Sequence, residues 1–344
     1  MRANHAQIQG IPAIMPSPAI SVAMSVYNGE RFLTEAIESV LAQSWRDFEF
    51  LMLDDGSSDG SLAVMRHFAA RDPRIRVISR ENRGLVASLN QLLAEAQAPL
   101  IARMDADDVC LPERFSRQIA FFAANPDHGV VGSLTDDIDE HGQPYAMVPA
   151  GHPLSHAAFL ERIESRGQLL AHPTAMYRRD VVLSVGGYHA AFRHCEDYDL
   201  WLRLAHLTRI TSLPEQLLRY RHYADQVSNR HALEQQIGVA VSHFAYQERM
   251  AGRPDPTETL DELPPIEQLD ALFGQAGVAS EVRGRVARAL LYSRSELAGQ
   301  GFDVLMTHVA EGGRGAELWR TAARLVRFGQ PSRALRLAAA LASG

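Results

Sequence analysis

The chain has 344 residues, 46% of them apolar and 22% charged, enough for two domains or one large α/β domain with an appendage. This composition excludes a disordered or collagen-like chain, and a formal net charge of −7 argues against a nucleic-acid-coating surface, which runs on clustered cations. All 34 basic residues are arginine, so there is no Walker lysine, Schiff-base lysine or pyridoxal-phosphate anchor; Cys110 and Cys195 alone make neither a disulfide framework nor a four-cysteine zinc site.

Residues 1–18 read as a loose, Pro-punctuated lead-in without the apolar core of a secretory signal. No run reaches the roughly 18 apolar residues that span a bilayer, so a cytoplasmic protein is expected. From Ala19 the pattern alternates. Ala19–Val26 is an apolar run suited to a strand buried on both faces, and Leu33, Ile37, Val40 and Leu41 then follow at helical spacing. Phe48–Leu53 is the next strand, a helix carries Leu62, Met65 and Phe68, and Arg74–Ile78 is a third strand. Leu85, Leu89, Leu92 and Leu93 mark a third helix before the strand Pro99–Met104. Such a βαβαβαβ run predicts a doubly wound parallel sheet, whose ligands sit beyond the carboxyl ends of the strands.

Further on, the pattern predicts a helix from Leu111-Pro112-Glu113, a strand at Gly129–Ser133 and a less regular stretch to about Gly167. A short strand at Thr174–Tyr177, helices at Val181–Val185 and Glu196–His206, and an extended segment ending at Tyr220-Arg221-His222 complete the region 19–228. Residues 229–344 turn Ala/Leu/Arg/Glu-rich, with helical periodicity interrupted by prolines, and read as a helical C-terminal region.

Three clusters carry chemistry. Asp105-Ala106-Asp107-Asp108 ends an apolar strand; three carboxylates this close repel without a cation, and their oxygens suit a hard divalent metal bridging to phosphate. The alternative is a solvated acidic loop with capping duties. Asp54-Asp55-Gly56-Ser57-Ser58-Asp59-Gly60 is either a capped βα turn or a turn whose carboxylate accepts a ring N–H of a bound base. Glu196 and Asp197 open a helix, where capping and dipole effects explain acids, yet two adjacent acids plus Asp199 exceed what a cap needs. Asp197 is a candidate general base.

Ser25–Glu30, Leu53–Asp59, Glu81-Asn82-Arg83-Gly84-Leu85, Asp105–Asp108 and Glu196–Arg203 together occur in the order and spacing of family-2 glycosyltransferases. The resemblance spans about residues 19–225. It implies a GT-A fold, Rossmann-like with a mostly parallel central sheet, a nucleotide-diphosphate-sugar donor, a divalent metal (Mn2+ or Mg2+) and inversion at the anomeric carbon. Carried over by position, Asp55 recognises the base, typically uracil, and Tyr27, Asn28 and Glu30 form part of the nucleotide pocket. Asp105, with Ala106 beside it, faces the ribose; Asp107 holds the metal, and Asp197, next to Glu196, is the catalytic base. Tyr220–Ser228 resembles a segment that closes over the donor, which makes His222 a candidate for the diphosphate or metal. Arg83 and Arg221 are candidate clamps on the departing diphosphate.

The implied acceptor is a glycan or a lipid-linked glycan in cell-surface polysaccharide, lipopolysaccharide or glycoconjugate synthesis. Five tail arginines among Leu and Ala offer either a peripheral contact with the inner face of the cell membrane or the solvated face of a packed helical cap. A dehydrogenase is disfavoured because no Gly-x-Gly-x-x-Gly follows the first strand, and a nucleotidyltransferase because its Gly-rich basic signature is missing. A non-catalytic sugar-nucleotide-binding or assembly subunit is the remaining alternative.

Overall fold

The computed structural model describes residues 18–145, 151–226 and 230–343; all but the last residue of the expected lead-in, and the expected break at 228/229, lie outside them. Eight strands form one sheet: β1 (Ile20–Val26), β2 (Phe48–Asp55), β3 (Ile75–Arg80), β4 (Leu100–Met104), β5 (Val109–Cys110), β6 (His128–Ile138), β7 (Met176–Arg178) and β8 (Arg209–Arg221). Their order is β3-β2-β1-β4-β7-β6-β8-β5. The first four strands and the β6–β8 pair are parallel, whereas β7 and β5 pair antiparallel with their neighbours.

Helices α1 (Glu30–Leu41), α2 (Ser61–Ala69) and α3 (Leu85–Glu95) are the crossovers of the parallel half. They cover both sheet faces, which is why β1 and β2 are mostly apolar, with Ser21, Ser25 and Glu49 the exceptions before the acidic end of β2 at Asp54 and Asp55. Val22, Met24, Phe50 and Met52 pack with Leu33, Ile37 and Val40 of α1, while Ala23, Leu51 and Leu53 point to the opposite face, toward Leu89, Leu92 and Leu93 of α3. Strand order reverses between β1 and β4, and the crevice at such a switch point lies beyond their carboxyl ends.

Helices α4 (Arg114–Ala124), α5 (His156–Ser165), α6 (Arg179–Ser184) and α7 (Glu196–Leu204) follow. The stretch expected to be irregular up to Gly167 contains α5. Its N-cap Ser155 accepts the Ala158 N–H at 3.1 Å, and only Phe159 and Ile163 are buried, so its apolar stripe is faint in sequence. In β8, Pro214 and Glu215 are skipped by the pairing with β6, which runs from Ser133–Leu213 to Leu134–Gln216; a residue without an N–H fits a bulge.

The C-terminal part is helical: α8 (Ala232–Met250), α9 (Leu269–Phe273), α10 (Val278–Ala289), α11 (Arg294–Ala298), α12 (Gly301–Ala310), α13 (Ala316–Arg327) and α14 (Pro331–Ala342). Val241 and Phe244 of α8 share a cluster with Phe192 and Cys195 of the sheet-bearing part, and α10 to α14 close a separate core around Phe302, Leu305 and Leu325.

Candidate active site

The turns after β1 and β2 are tied together by their own polar groups. Asn28 adopts a left-handed φ of 51°, and its Oδ1 accepts the Ser58 N–H at 2.8 Å. Gly29 N–H donates to Ser61 Oγ (2.9 Å), Gly60 N–H to Glu30 Oε2 (2.8 Å) and Glu30 N–H to Asp59 Oδ2 (3.1 Å). Asp55 is 2% exposed; it accepts the N–H groups of Arg83 (3.0 Å) and Gly84 (2.8 Å) and pairs with Arg80 at 2.9 Å. The carboxylate expected to read a base therefore also pins the β3–α3 turn to the end of β2. Tyr27 is exposed at the lip of this region, and a Cβ on Gly29 would lie 3.5 Å from the Ala106 Cβ, which brings the third turn against the first.

That third turn holds Asp105, Asp107 and Asp108, one ligand oxygen of each within 4.8 Å of the others. Burial, reinforced by the charge of Asp105, pushes the Asp107 carboxyl up to about 6. Asp108, fully buried beside Asp107, is raised well above the usual range; its Oδ1 accepts the Arg221 N–H at 2.9 Å, and its buried Oδ2 has no hydrogen-bond partner among the described residues. Crowded, desolvated carboxylates with an unpaired oxygen fit a divalent cation held by oxygen ligands. The Tyr223 hydroxyl donates to Asp107 Oδ2 at 2.8 Å.

The second acidic pair arrives from α7. Glu196 is buried, and burial followed by the charge of Asp197 pushes it up to about 8; burial pushes Asp197 up to about 6. Glu196 Oε1 lies 3.8 Å from His172 Nδ1, and the other ring nitrogen of His172 is 2.9 Å from the Tyr188 hydroxyl. Both acidic groups face one cavity of about 640 Å³, whose wall includes Asp105, Asp107, Glu196, Asp197, His222 and Arg103. Tyr27, Asn28, Glu30, Asp55, Arg83 and Ala106 lie outside that lining. The structure thus brings together the carboxylates of β4 and α7, with the β1 and β2 turns beside them.

Two arginines and a histidine differ from expectation or add to it. Arg221 is not available as a diphosphate clamp: it is 2% exposed, its Nη2 binds Glu35 Oε2 at 2.6 Å, its Nε donates to the Asp107 carbonyl at 2.7 Å, and it stacks over Phe32. Its guanidinium braces the acidic turn from behind. His222 stands in the cavity wall with Nε2 2.8 Å from Asp137 Oδ1 and its ring stacked on Tyr145; it is not one of the three converging carboxylates' group. Arg103, on the strand that ends at the acidic turn and given no role from sequence, is 4% exposed and ion-paired with Asp105. Two positions before Asp105 on an extended chain, it shares a face with that acid, and this spacing is the signal the sequence holds for it.

A family model described as Glycosyl transferase family 2 matches residues 21–186. The Bacillus subtilis (strain 168) protein EpsE is 36% identical over 218 residues, 62% of this chain and 76% of that protein. The O-antigen biosynthesis glycosyltransferase WbnJ of Escherichia coli is 33% identical over 206 residues, 59% of this chain and 79% of that protein. The chain belongs to glycosyltransferase family 2, and it is an enzyme; the alternative of a non-catalytic subunit is set aside. Its fold is of the GT-A type. The S. aureus TarS 1–349 structure in complex with UDP-GlcNAc superposes with a TM-score of 0.54 at 16% identity, over 94% of this chain and 90% of that one. The mannosyltransferase PcManGT from Pyrobaculum calidifontis, in complex with GDP-Man and Mn2+, gives 0.53 at 17% identity, over 94% and 86%.

Proposed function

We propose that this enzyme transfers a sugar from a nucleoside-diphosphate donor, UDP-linked by preference, to a hydroxyl of a growing cell-surface glycan, with inversion at the anomeric carbon. The observation that carries this reading is the opposition of Asp105/Asp107 and Glu196/Asp197 across one cavity at the carboxyl ends of the strands. UDP-GlcNAc in the TarS structure, and the O-antigen pathway in the name of WbnJ, support the donor class and the acceptor class.

The base and ribose lie along the β1 and β2 turns, where Asp55 has its orientation set by Arg83 and Gly84. Asp107, with Asp105 and Asp108 beside it, would hold a divalent metal, Mn2+ or Mg2+. A metal held there would supply Lewis-acid neutralisation of charge on the diphosphate. Asp197 accepts the acceptor's hydroxyl proton while that oxygen bonds to the anomeric carbon and the bond to the diphosphate breaks on the opposite face. General-base help of this kind contributes typically ~10²–10⁴-fold. Glu196, raised to about 8, keeps its proton at neutral pH and adds no second negative charge beside Asp197.

An acceptor presented at a bilayer fits the outward faces of α13 and α14, where Trp319, Val326 and Leu335 are exposed near Arg320 and Arg327. Other tail arginines serve the fold: Arg324 donates to the Leu291 carbonyl and Arg333 to that of Leu297, both at 2.7 Å. No helix among the described residues is long and apolar enough to cross a membrane. Co-sedimentation of the full chain with anionic vesicles, lost in Trp319→Ala/Leu335→Ala, tests that contact.

Calorimetric titration of UDP, GDP and dTDP, each with and without Mn2+, tests the central reading. Metal-dependent binding of one nucleotide, lost in Asp107→Ala, is the expected result; no binding of any of the three overturns it.

A further inference from the structure

Helix α8 begins beyond residue 186, where the family match ends, yet it rests on the turn that carries the acids of α7. The Gln235 amide donates to the His194 carbonyl at 2.9 Å. His194 has a left-handed φ of 65°, and its ring stacks on that of His231 with centroids 3.9 Å apart. Such backbone persists in a side-chain-bearing residue only where its surroundings over-determine it, and here both restraints come from α8 or the residue capping it. One turn further on, a Cβ on Gly238 would stand 2.2 Å from Cys195 Sγ, so the helix backbone touches the residue preceding Glu196. Beyond that, His243 Nε2 lies 2.8 Å from the Tyr198 hydroxyl. Residues 194, 195 and 198 bracket Glu196 and Asp197, and each contacts α8. Gln235, Gln236 and Val239 of the same helix line the cavity beside the two acids.

We infer that Gln235 and Gly238 are positioning residues for Asp197 and Glu196, which makes the start of the C-terminal helical region part of the catalytic apparatus and not only a cap. The inference rests on the proposed role of Asp197. Gln235 holds the carbonyl that sets the entry angle of α7. Gly238 admits Cys195 at a distance that a methyl group would forbid, and the rise of α8 places the two contacts on one face, three residues apart.

The test uses the full chain and three variants: Gln235→Glu, which keeps the shape and removes the donor, Gly238→Ala, and Gly238→Ala combined with Cys195→Ala. Amide hydrogen exchange over residues 193–199 is read with calorimetric UDP–Mn2+ affinity and with hydrolysis of UDP-GlcNAc, UDP-glucose, UDP-galactose and GDP-mannose. Gln235→Glu and Gly238→Ala should each speed exchange over 193–199 at least tenfold and leave β1–β4 protected. They should lower the hydrolysis kcat about tenfold to a hundredfold, the scale of a small misplacement of a catalytic group, and Gly238→Ala, which adds no charge to the cavity wall, should leave donor KM and UDP affinity unchanged. Cys195→Ala should restore what Gly238→Ala loses, because the Cys195 Cβ lies 3.7 Å from the added methyl. Wild-type exchange over 193–199 in both single variants, or a Gly238→Ala defect that Cys195→Ala does not relieve, overturns the inference. Failure of the transferase reading shows separately, as a wild-type chain that hydrolyses none of the four donors; protection over 193–199 then still decides whether α8 holds the turn.

Discussion

Tyr223 donates its hydroxyl hydrogen to Asp107 Oδ2 across 2.8 Å, and its ring lies 5.2 Å from that of Phe32 on α1. The segment leaving β8 thereby orients the carboxylate proposed to hold the metal. Partners outside the ligand shell set ligand orientation and typically govern affinity by about 10–100-fold. Tyr223→Phe should weaken Mn2+ binding about tenfold, measured by titrating Mn2+ into the UDP complex, with metal-free UDP binding unchanged.

Asp197 is proposed to act only as a base, so Asp197→Asn should lower transfer or donor hydrolysis by about 10²–10⁴-fold and leave the affinity for UDP and Mn2+ as it was. Because burial raises the Asp197 carboxyl to about 6, the wild-type rate should climb with pH through that region as the base ionises. Glu196 and Asp197 interact, so the observed midpoints belong to the pair. A rate that is flat between pH 5 and 7 would contradict this assignment.

Stability of the metal-free enzyme should fall with rising pH. Asp107 and Asp197 are raised to about 6 and Glu196 to about 8, so the folded chain holds these protons more tightly than an unfolded chain, whose carboxyls titrate at about 4. The stability they confer is complete below the unfolded values and is lost as pH rises through 6 and 8. Thermal denaturation in chelator should give a lower Tm at pH 8 than at pH 5. Mn2+ should recover most at pH 8, and Glu196→Gln should flatten the upper part of the decline.

Gly56 adopts a φ of 77°, and a Cβ there would meet the Asn82 backbone nitrogen at 2.7 Å. Neither strain relaxes by rotating a side chain. Gly56→Ala should cost about 1–3 kcal/mol in urea denaturation and weaken UDP binding, since it pushes apart the two turns that Asp55 joins. Gly142, with φ 77° but nothing within 4 Å of its added Cβ, is the control and should show the backbone penalty alone.

The features legible in the order of residues alone are local. Periodicity places β1 to β4 within about two residues and marks the buried stripes of α1 to α3, because a strand covered on both faces carries a nearly unbroken apolar run and its crossover helix one apolar stripe. The same locality put Asp55 and the Asp105–Asp108 turn at strand ends, where the doubly wound topology collects them. Helix α5 leaves little periodic trace because only Phe159 and Ile163 of its ten residues are buried hydrophobics. Tertiary structure alone turned Arg221 away from the cavity to Glu35, 186 positions earlier, and engaged His222 with Asp137. It also set α8 against the acids of α7, joining Gln235 to a carbonyl 41 residues upstream. Such contacts leave no periodic trace: a side chain's hydrogen-bonding partner depends on which backbones packing brings within 3 Å, and no propensity of neighbouring residues encodes that distance.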